Sequence, residues 1–343
     1  MNVFNAKWNV IATLIMGLFF TACAQKVNQT ATGNYFSIAD VIQKEFSKTD
    51  NYVCKIYAAA DYVTYKIPAD SQMTLKQINQ KNFEKYEKSY KTESSMGTAT
   101  LLQEGDKTRT FLSSYHIFNY PDTLFNYYYR EDGTKTPYIS HYTIKENQIH
   151  FLKKYSNTQL AEIIAYDAKK DIAFLKTQPE NDMLTNRFGK LKTSSARQMQ
   201  TGKEVFITGY PNGYKMVTRG LMSKPFTEQP NKILIDATFN KGYSGAPFFI
   251  LSSDCKCFKF AGIITSSASV DKNILVPEFQ RHQKIYDPTR AYKEPVYVEA
   301  DEQIKYGITF TASLPAIKDF YINNQQLFND HGVNLDGFFN ADE

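Results

Sequence analysis

Between residues 97 and 265 the chain alternates short apolar runs with turn-forming clusters, the pattern of an antiparallel barrel architecture. The runs include Thr110 to Tyr115, Ile172 to Leu175, Val205 to Thr208, Ile233 to Phe239, Phe248 to Leu251 and Phe258 to Ile264. Glu131-Asp132-Gly133 and Pro211-Asn212-Gly213 are the turn signals. Upstream, Ile38, Val41, Ile42 and Phe46 recur at helical spacing and predict an amphipathic helix. Tyr52 to Tyr65 alternates in part and predicts one or two strands. Leu75, Ile78, Phe83, Tyr86 and Tyr90 predict a second helix. Residues 35–95 thus read as a mixed N-terminal extension, packed on the barrels as a structural element or gating access to them.

The chain has 343 residues, 42% of them hydrophobic, enough to bury a substantial core, with strand-favouring Tyr (24) and Phe (25) abundant. Beyond the N-terminus no apolar run reaches the ~20 residues of a membrane span. The net charge of +5 is spread among acidic residues, so no nucleic-acid footprint is expected. Residues 1–23 resemble a signal peptide: Lys7, the apolar run Val10 to Phe20, then Thr21-Ala22-Cys23-Ala24. Two cleavage readings stand. Ala22-Cys23 resembles a lipobox, which would leave Cys23 lipidated as a membrane tether in a bacterial cell envelope. Ala22-Cys23-Ala24 is also an A-x-A site that would release a soluble periplasmic or secreted protein. Residues 24–34 follow as a polar tether. Export permits disulfides, and Cys54, Cys255 and Cys257 leave the pairing open. Cys255 and Cys257 flank Lys256 at a predicted hairpin tip and are too few to make a metal site.

The chemistry concentrates in Asn240-Lys241-Gly242-Tyr243-Ser244-Gly245-Ala246-Pro247. A serine hydroxyl is a poor nucleophile until a base takes its proton and donors hold the oxyanion. Gly242 can aim consecutive N–H groups into one hollow, and Gly245 leaves room for a substrate backbone. The partners lie upstream. His116 ends a strand-like run, and Asp171 enters an apolar strand. Asp167, the competing carboxylate, lacks the following apolar run. The remaining histidines (His141, His150, His282, His331) sit in no matching context. The order His, Asp, Ser is one of the three known for this triad, and places Ser last, unlike the α/β-hydrolase fold.

Five segments carry a resemblance to trypsin-like serine proteases of the HtrA/Deg type. They are Gly97 to Leu102, Leu112 to His116, Asp171 to Leu175, Gly202 through Ser223, and Asp236 to Pro247. Phe260 to Ile264, Tyr306 to Thr311 and Leu314 to Phe320 resemble the closing strands and C-terminal helix. The resemblance covers roughly 97–325. It implies an all-β, two-barrel chymotrypsin-like fold over 96–325 with a C-terminal helix, His116 and Asp171 on the first barrel and Ser244 on the second. A tail, 326–343, follows, too short for the PDZ domain of many relatives. Residues 120–160 and 268–304 are insertions relative to the family. Lys241, Tyr243 and Ala246 depart from its usual Pro, Asn or Asp, and Gly.

Carried onto this chain, the resemblance implies peptide-bond hydrolysis through an acyl-enzyme, without a cofactor or metal, on protein or peptide substrates. The catalytic residues are His116, Asp171 and Ser244. The oxyanion hole is Gly242, Tyr243 and Ser244, with Gly242 and Ser244 donating. The substrate pocket is formed by Thr238, Phe239, Ile264, Thr265 and Ser266. With no acidic floor, the pocket is expected to take small or medium apolar side chains. The alternatives are a latent, protease-like binding or chaperone scaffold, and an esterase using the same triad.

Overall fold

The computed structural model describes residues 37–80, 83–105, 108–177, 191–223, 233–277, 289, 291 and 296–340. The expected signal peptide, Cys23 and tether lie outside these residues, as do His282 and the middle of the second insertion. No described helix is long and apolar enough to cross a membrane.

Strand β1 (Val53–Lys66) buries every second side chain from Cys54 to Tyr62, the period expected of a pleated strand with one face inward. It pairs antiparallel with β2 (Glu87–Glu104) on one side. On the other it pairs with a later strand, β5 (Lys135–Lys154). The sheet runs on from β2 through β3 (Arg109–Ser113) to β8 (Ile172–Thr177) and β7 (Glu162–Asp167). Strands β4 (Thr123–Tyr129) and β6 (Asn157–Leu160) both pair with β5. Only Ala161 separates β6 from β7, and its N–H donates to the His150 carbonyl at 3.0 Å. The eight-stranded sheet therefore rolls back toward its own far edge in a barrel-like form.

The second barrel is closed, in the order β10 (Met216–Met222), β11 (Leu234–Asp236), β14 (Val296–Ser313), β13 (Phe258–Pro277), β12 (Pro247–Leu251) and β9 (Glu204–Gly209). Strands β13 and β14 continue beyond it as a two-stranded ribbon, from the pair Ser269 and Ile304 to the pair Pro277 and Val296. The described part of the second insertion is this ribbon. The architecture is mostly β with two barrel-like sheets, the fold class the sequence predicts.

Helix α1 (Ile38–Thr49) carries Ile42 and Phe46 against the core. The Phe46 ring meets Phe258 edge-on at 5.1 Å and Phe206 at 6.0 Å. Glu45 is buried, accepts the Phe258 N–H at 2.9 Å and pairs with Lys48. Ile38 is exposed, so the predicted apolar face is shorter than its spacing suggests. At the other end, α2 (Leu314–Asn323) starts on a Ser313 cap that accepts the Ala316 N–H. It is followed by α3 (Gln325–Asp330) and α4 (Asp336–Phe339). Ile317, Phe320, Phe328 and Phe338 join Leu112 and Phe174 of the first barrel and Phe206, Phe249 and Phe260 of the second in one core. The helices thus lock the two barrels together.

The extension 35–95, expected to pack on the barrels or gate them, contributes to the first sheet itself, with β1 inside it and β2 running straight through residue 95. The helix expected over 75–90 is a short 3-10 turn at Leu75–Gln80 followed by strand β2. Its apolar residues Ile78, Phe83 and Tyr86 instead form a small core with Ile67, Met73, Ile139 and Tyr142. The first insertion supplies the last two, so these two irregular segments fold against each other. The tail after 325 is packed, with Phe328, Leu335 and Phe339 buried.

Candidate active site

Strand β3 ends at Ser113, and the chain turns through Tyr115–Phe118, presenting the His116 ring at the surface, its side chain 48% exposed. The turn is anchored from below by the buried Ile117 and Phe118. Asp171 closes the turn before β8 with φ +56°, a left-handed conformation that Asp tolerates better than most residues. That twist aims both carboxylate oxygens at one residue. Oδ1 accepts the His116 backbone N–H at 2.8 Å, and Oδ2 accepts the Nδ1 proton at 2.8 Å. The pair fixes ring orientation and leaves Nε2 as the free basic nitrogen. Asp167 is engaged elsewhere. It accepts the N–H groups of Lys169 and Lys170 and pairs with the Lys170 ammonium at 2.6 Å.

Ser244 lies in the loop between β11 and β12 and is 6% exposed. This loop is held against the first barrel by its backbone. The Ser244 carbonyl accepts the Thr98 N–H at 2.8 Å, while within the second barrel the Gly245 N–H donates to Ile264 O at 2.7 Å. Ser114 Oγ crosses the same seam to Ile264 O at 3.1 Å. The three residues expected to act together are therefore placed by strand ends at one junction of the two barrels. Ser244 Oγ itself donates to Thr265 O at 3.3 Å, a long bond on a strand adjoining the loop. Among the described residues this is the hydroxyl's hydrogen bond. Catalytic hydrogen bonds often tighten only once substrate binds.

The oxyanion loop has a defined orientation. Gly242 has φ +107°, and a Cβ there would lie 2.4 Å from Tyr210 O and 3.0 Å from Pro211 Cα, so only glycine fits. The Lys241 carbonyl accepts the Asn212 N–H at 2.8 Å. N–H and C=O point in opposite directions across a trans peptide, so this bond turns the Gly242 N–H away from Asn212. The Tyr243 N–H is taken by Asn240 O at 3.1 Å. The N–H groups of Gly242 and Ser244 have no hydrogen-bond partner among the described residues, which leaves them as the two donors for an oxyanion.

Neighbouring residues revise the local picture. Gly245 does not make room for substrate: a Cβ on it would lie 2.1 Å from Thr98 O and 2.4 Å from Ser113 Oγ, so the glycine permits contact between barrels. Ala246 is buried in the second barrel, where its methyl packs toward Gly209. The Tyr243 ring is buried in the same core, and burial pushes its phenol up to about 12. Of the pocket candidates, Thr238 and Ser266 are exposed, whereas Phe239, Ile264 and Thr265 are buried in the second barrel. A cavity of about 580 Å³ opens beside the histidine turn, lined by residues including Tyr115, Asn119, Lys145, Tyr166 and Leu327. None of these is a pocket candidate, and of them Tyr115 alone lies in a motif of the resemblance. The described Cys54, Cys255 and Cys257 are all free, and no described cluster of His, Cys, Asp and Glu could hold a metal ion.

The family model of the trypsin-like peptidase domain matches residues 97–253, which contain His116, Asp171 and Ser244. Over these residues the chain is similar to a trypsin-like peptidase domain. Among solved structures, it is similar to the Rv3671c protease of M. tuberculosis in its active form, at 14% identity, covering 83% of this chain and 85% of that one, TM-score 0.43. A serine-to-alanine mutant of Rv3671c, from M. tuberculosis H37Rv in its inactive form, is similar at 12% identity, covering 84% and 94%, also with TM-score 0.43. No curated protein matches the chain. The matched segment starts at the first residue of the Gly97 to Leu102 motif and ends just past β12.

Proposed function

We propose that the chain is an exported serine endopeptidase that cleaves peptide bonds through an acyl-enzyme. The observation that carries this reading is the Asp171 carboxylate gripping both the backbone and the Nδ1 of His116 at 2.8 Å, on a peptidase domain whose Ser244 loop offers two unpaired N–H donors. In this mechanism Ser244 Oγ leaves Thr265 O, gives its proton to His116 Nε2 and attacks the scissile carbonyl carbon. The oxyanion is held by the N–H groups of Gly242 and Ser244. Asp171 stabilises the imidazolium, which then protonates the leaving amine. Water repeats the sequence on the acyl-enzyme to release the acid.

The substrate side chain before the scissile bond would meet Thr238 and Ser266, neither of them acidic, which favours small or medium apolar groups. Hydrolysis of a peptide library by wild type, Ser244→Ala and His116→Ala tests the reading. Turnover by wild type alone, best after apolar residues, is expected. Best turnover after Arg or Lys would refute the pocket assignment, and equal turnover by all three proteins would refute the triad. The second reading, a latent binding scaffold, is favoured by one observation: the Ser244 hydroxyl bonds to Thr265 O. We further propose export directed by residues 1–23, with lipidation at Cys23. Incorporation of labelled palmitate, lost in Cys23→Ala, is the expected result. Release of a soluble protein beginning at Gln25 would refute lipidation.

A further inference from the structure

We propose that Thr98 is a positioning residue that keeps the oxyanion loop in its donating orientation. The inference rests on the peptidase reading above and adds a residue outside the triad and hole. Thr98 lies on β2 of the first barrel and is fully buried. Its Oγ1 donates to the Gly242 carbonyl at 2.8 Å and accepts the Tyr210 N–H at 3.0 Å. Its backbone N–H holds the Ser244 carbonyl at 2.8 Å, and its own carbonyl accepts Ser113 Oγ at 2.7 Å.

One oxygen therefore joins two segments of the second barrel whose relative placement matters. Tyr210 begins the turn that carries Asn212, and Gly242 is the loop residue whose N–H must face the substrate. The Asn212 N–H bond to Lys241 O, which turns the Gly242 N–H outward, forms between these same segments. With the Thr98 hydroxyl present, the turn and the loop are registered against each other through a rigid strand of the other barrel. Without it, the Gly242 carbonyl and Tyr210 N–H are both left unpaired in a buried seam. With the turn and the loop no longer registered, the Asn212 N–H bond to Lys241 O that orients the Lys241–Gly242 peptide is loosened, and rotation of that peptide would swing its carbonyl toward the hole and the Gly242 N–H away. Substrate binding should change little, because Thr98 is buried and reaches the substrate only through Gly242.

The test compares wild type, Thr98→Val, Thr98→Ser and Ser244→Ala for kcat, KM and inhibition by a peptide aldehyde, whose hemiacetal oxygen needs the hole. Thr98→Val is expected to lower kcat and aldehyde affinity together by roughly tenfold to a hundredfold at unchanged KM. Thr98→Ser, which keeps the hydroxyl, is expected to restore most of both. Unchanged kcat in folded Thr98→Val, or a loss confined to KM, would overturn the role. If Thr98→Val fails to fold by circular dichroism, Thr98→Ala removes the same hydroxyl without branching. Failure of both to fold would show that the hydroxyl holds the whole seam and would overturn the local role. A wild type with no more turnover than Ser244→Ala would instead refute the peptidase reading beneath it.

Discussion

At the scale of single residues, the proposed chemistry needs a base, its orienting carboxylate and a nucleophile, and the sequence offers a candidate for each in order. Asp171 could be preferred to Asp167 because an apolar strand follows it, and the structure supplies the physical counterpart: Asp167 is spent capping its own turn. Asp171→Asn should leave the fold intact and lower kcat by about 10⁴, because the amide favours the wrong imidazole tautomer. Steady-state kinetics with a thermal melt checks both halves, and a loss under tenfold would remove Asp171 from the mechanism. What the sequence could not display was the tertiary role of small residues. Gly245 reads as substrate-facing, yet it serves the contact between barrels, and Ala246 serves the packing behind the loop, because their neighbours Thr98, Ser113 and Gly209 are distant in sequence. Thr98 likewise gave no signal beyond its place in a motif.

At the scale of elements, strands announced by local alternation or by motif were legible, and those decided by long-range pairing were not. Alternation over Tyr52 to Tyr65 suggested a strand, but its place in the middle of the first sheet depends on partners at both 87–104 and 135–154. Residues 75–90 carry helical spacing that tertiary packing overrides, since Ile78, Phe83 and Tyr86 bury themselves against the first insertion instead. Helix α1 was legible; its docking partner was not. Glu45→Ala leaves the Phe258 N–H buried without an acceptor and should destabilise the protein by about 1–3 kcal/mol. Glu45→Gln, which keeps an acceptor oxygen, should cost less. Urea denaturation of both variants decides this, and equal losses would show that the charge, not the bond, holds the helix.

At the scale of the whole molecule, helices from both ends of the chain pack on a core shared by the two barrels, so global stability should depend on groups near the seam. Burial pushes the phenols of Tyr52, Tyr210 and Tyr243 up to about 12 from an ordinary value of 10.0, with the Glu45 charge adding to the shift at Tyr52. Burial likewise pushes the Cys54 thiol up from 9.0 to about 12, opposed by Lys154. All four are neutral acids that the fold prevents from ionising. Their folded values lie above the unfolded ones, so the stability they contribute is complete below about pH 9 and is lost as pH rises toward 12. Tyrosinate absorbance and near-ultraviolet circular dichroism should therefore change together in that window. Ionisation of these tyrosines near pH 10 with the dichroism intact would contradict their burial.

The proposal that His116, Asp171 and Ser244 form a working nucleophilic site beside an open oxyanion hole can be checked with a fluorophosphonate probe. Wild type and Ser244→Ala would be treated side by side and read by intact mass. A single adduct on wild type and none on the variant is expected. A well-folded wild type that takes up no probe, or a variant that still takes it up, would contradict it.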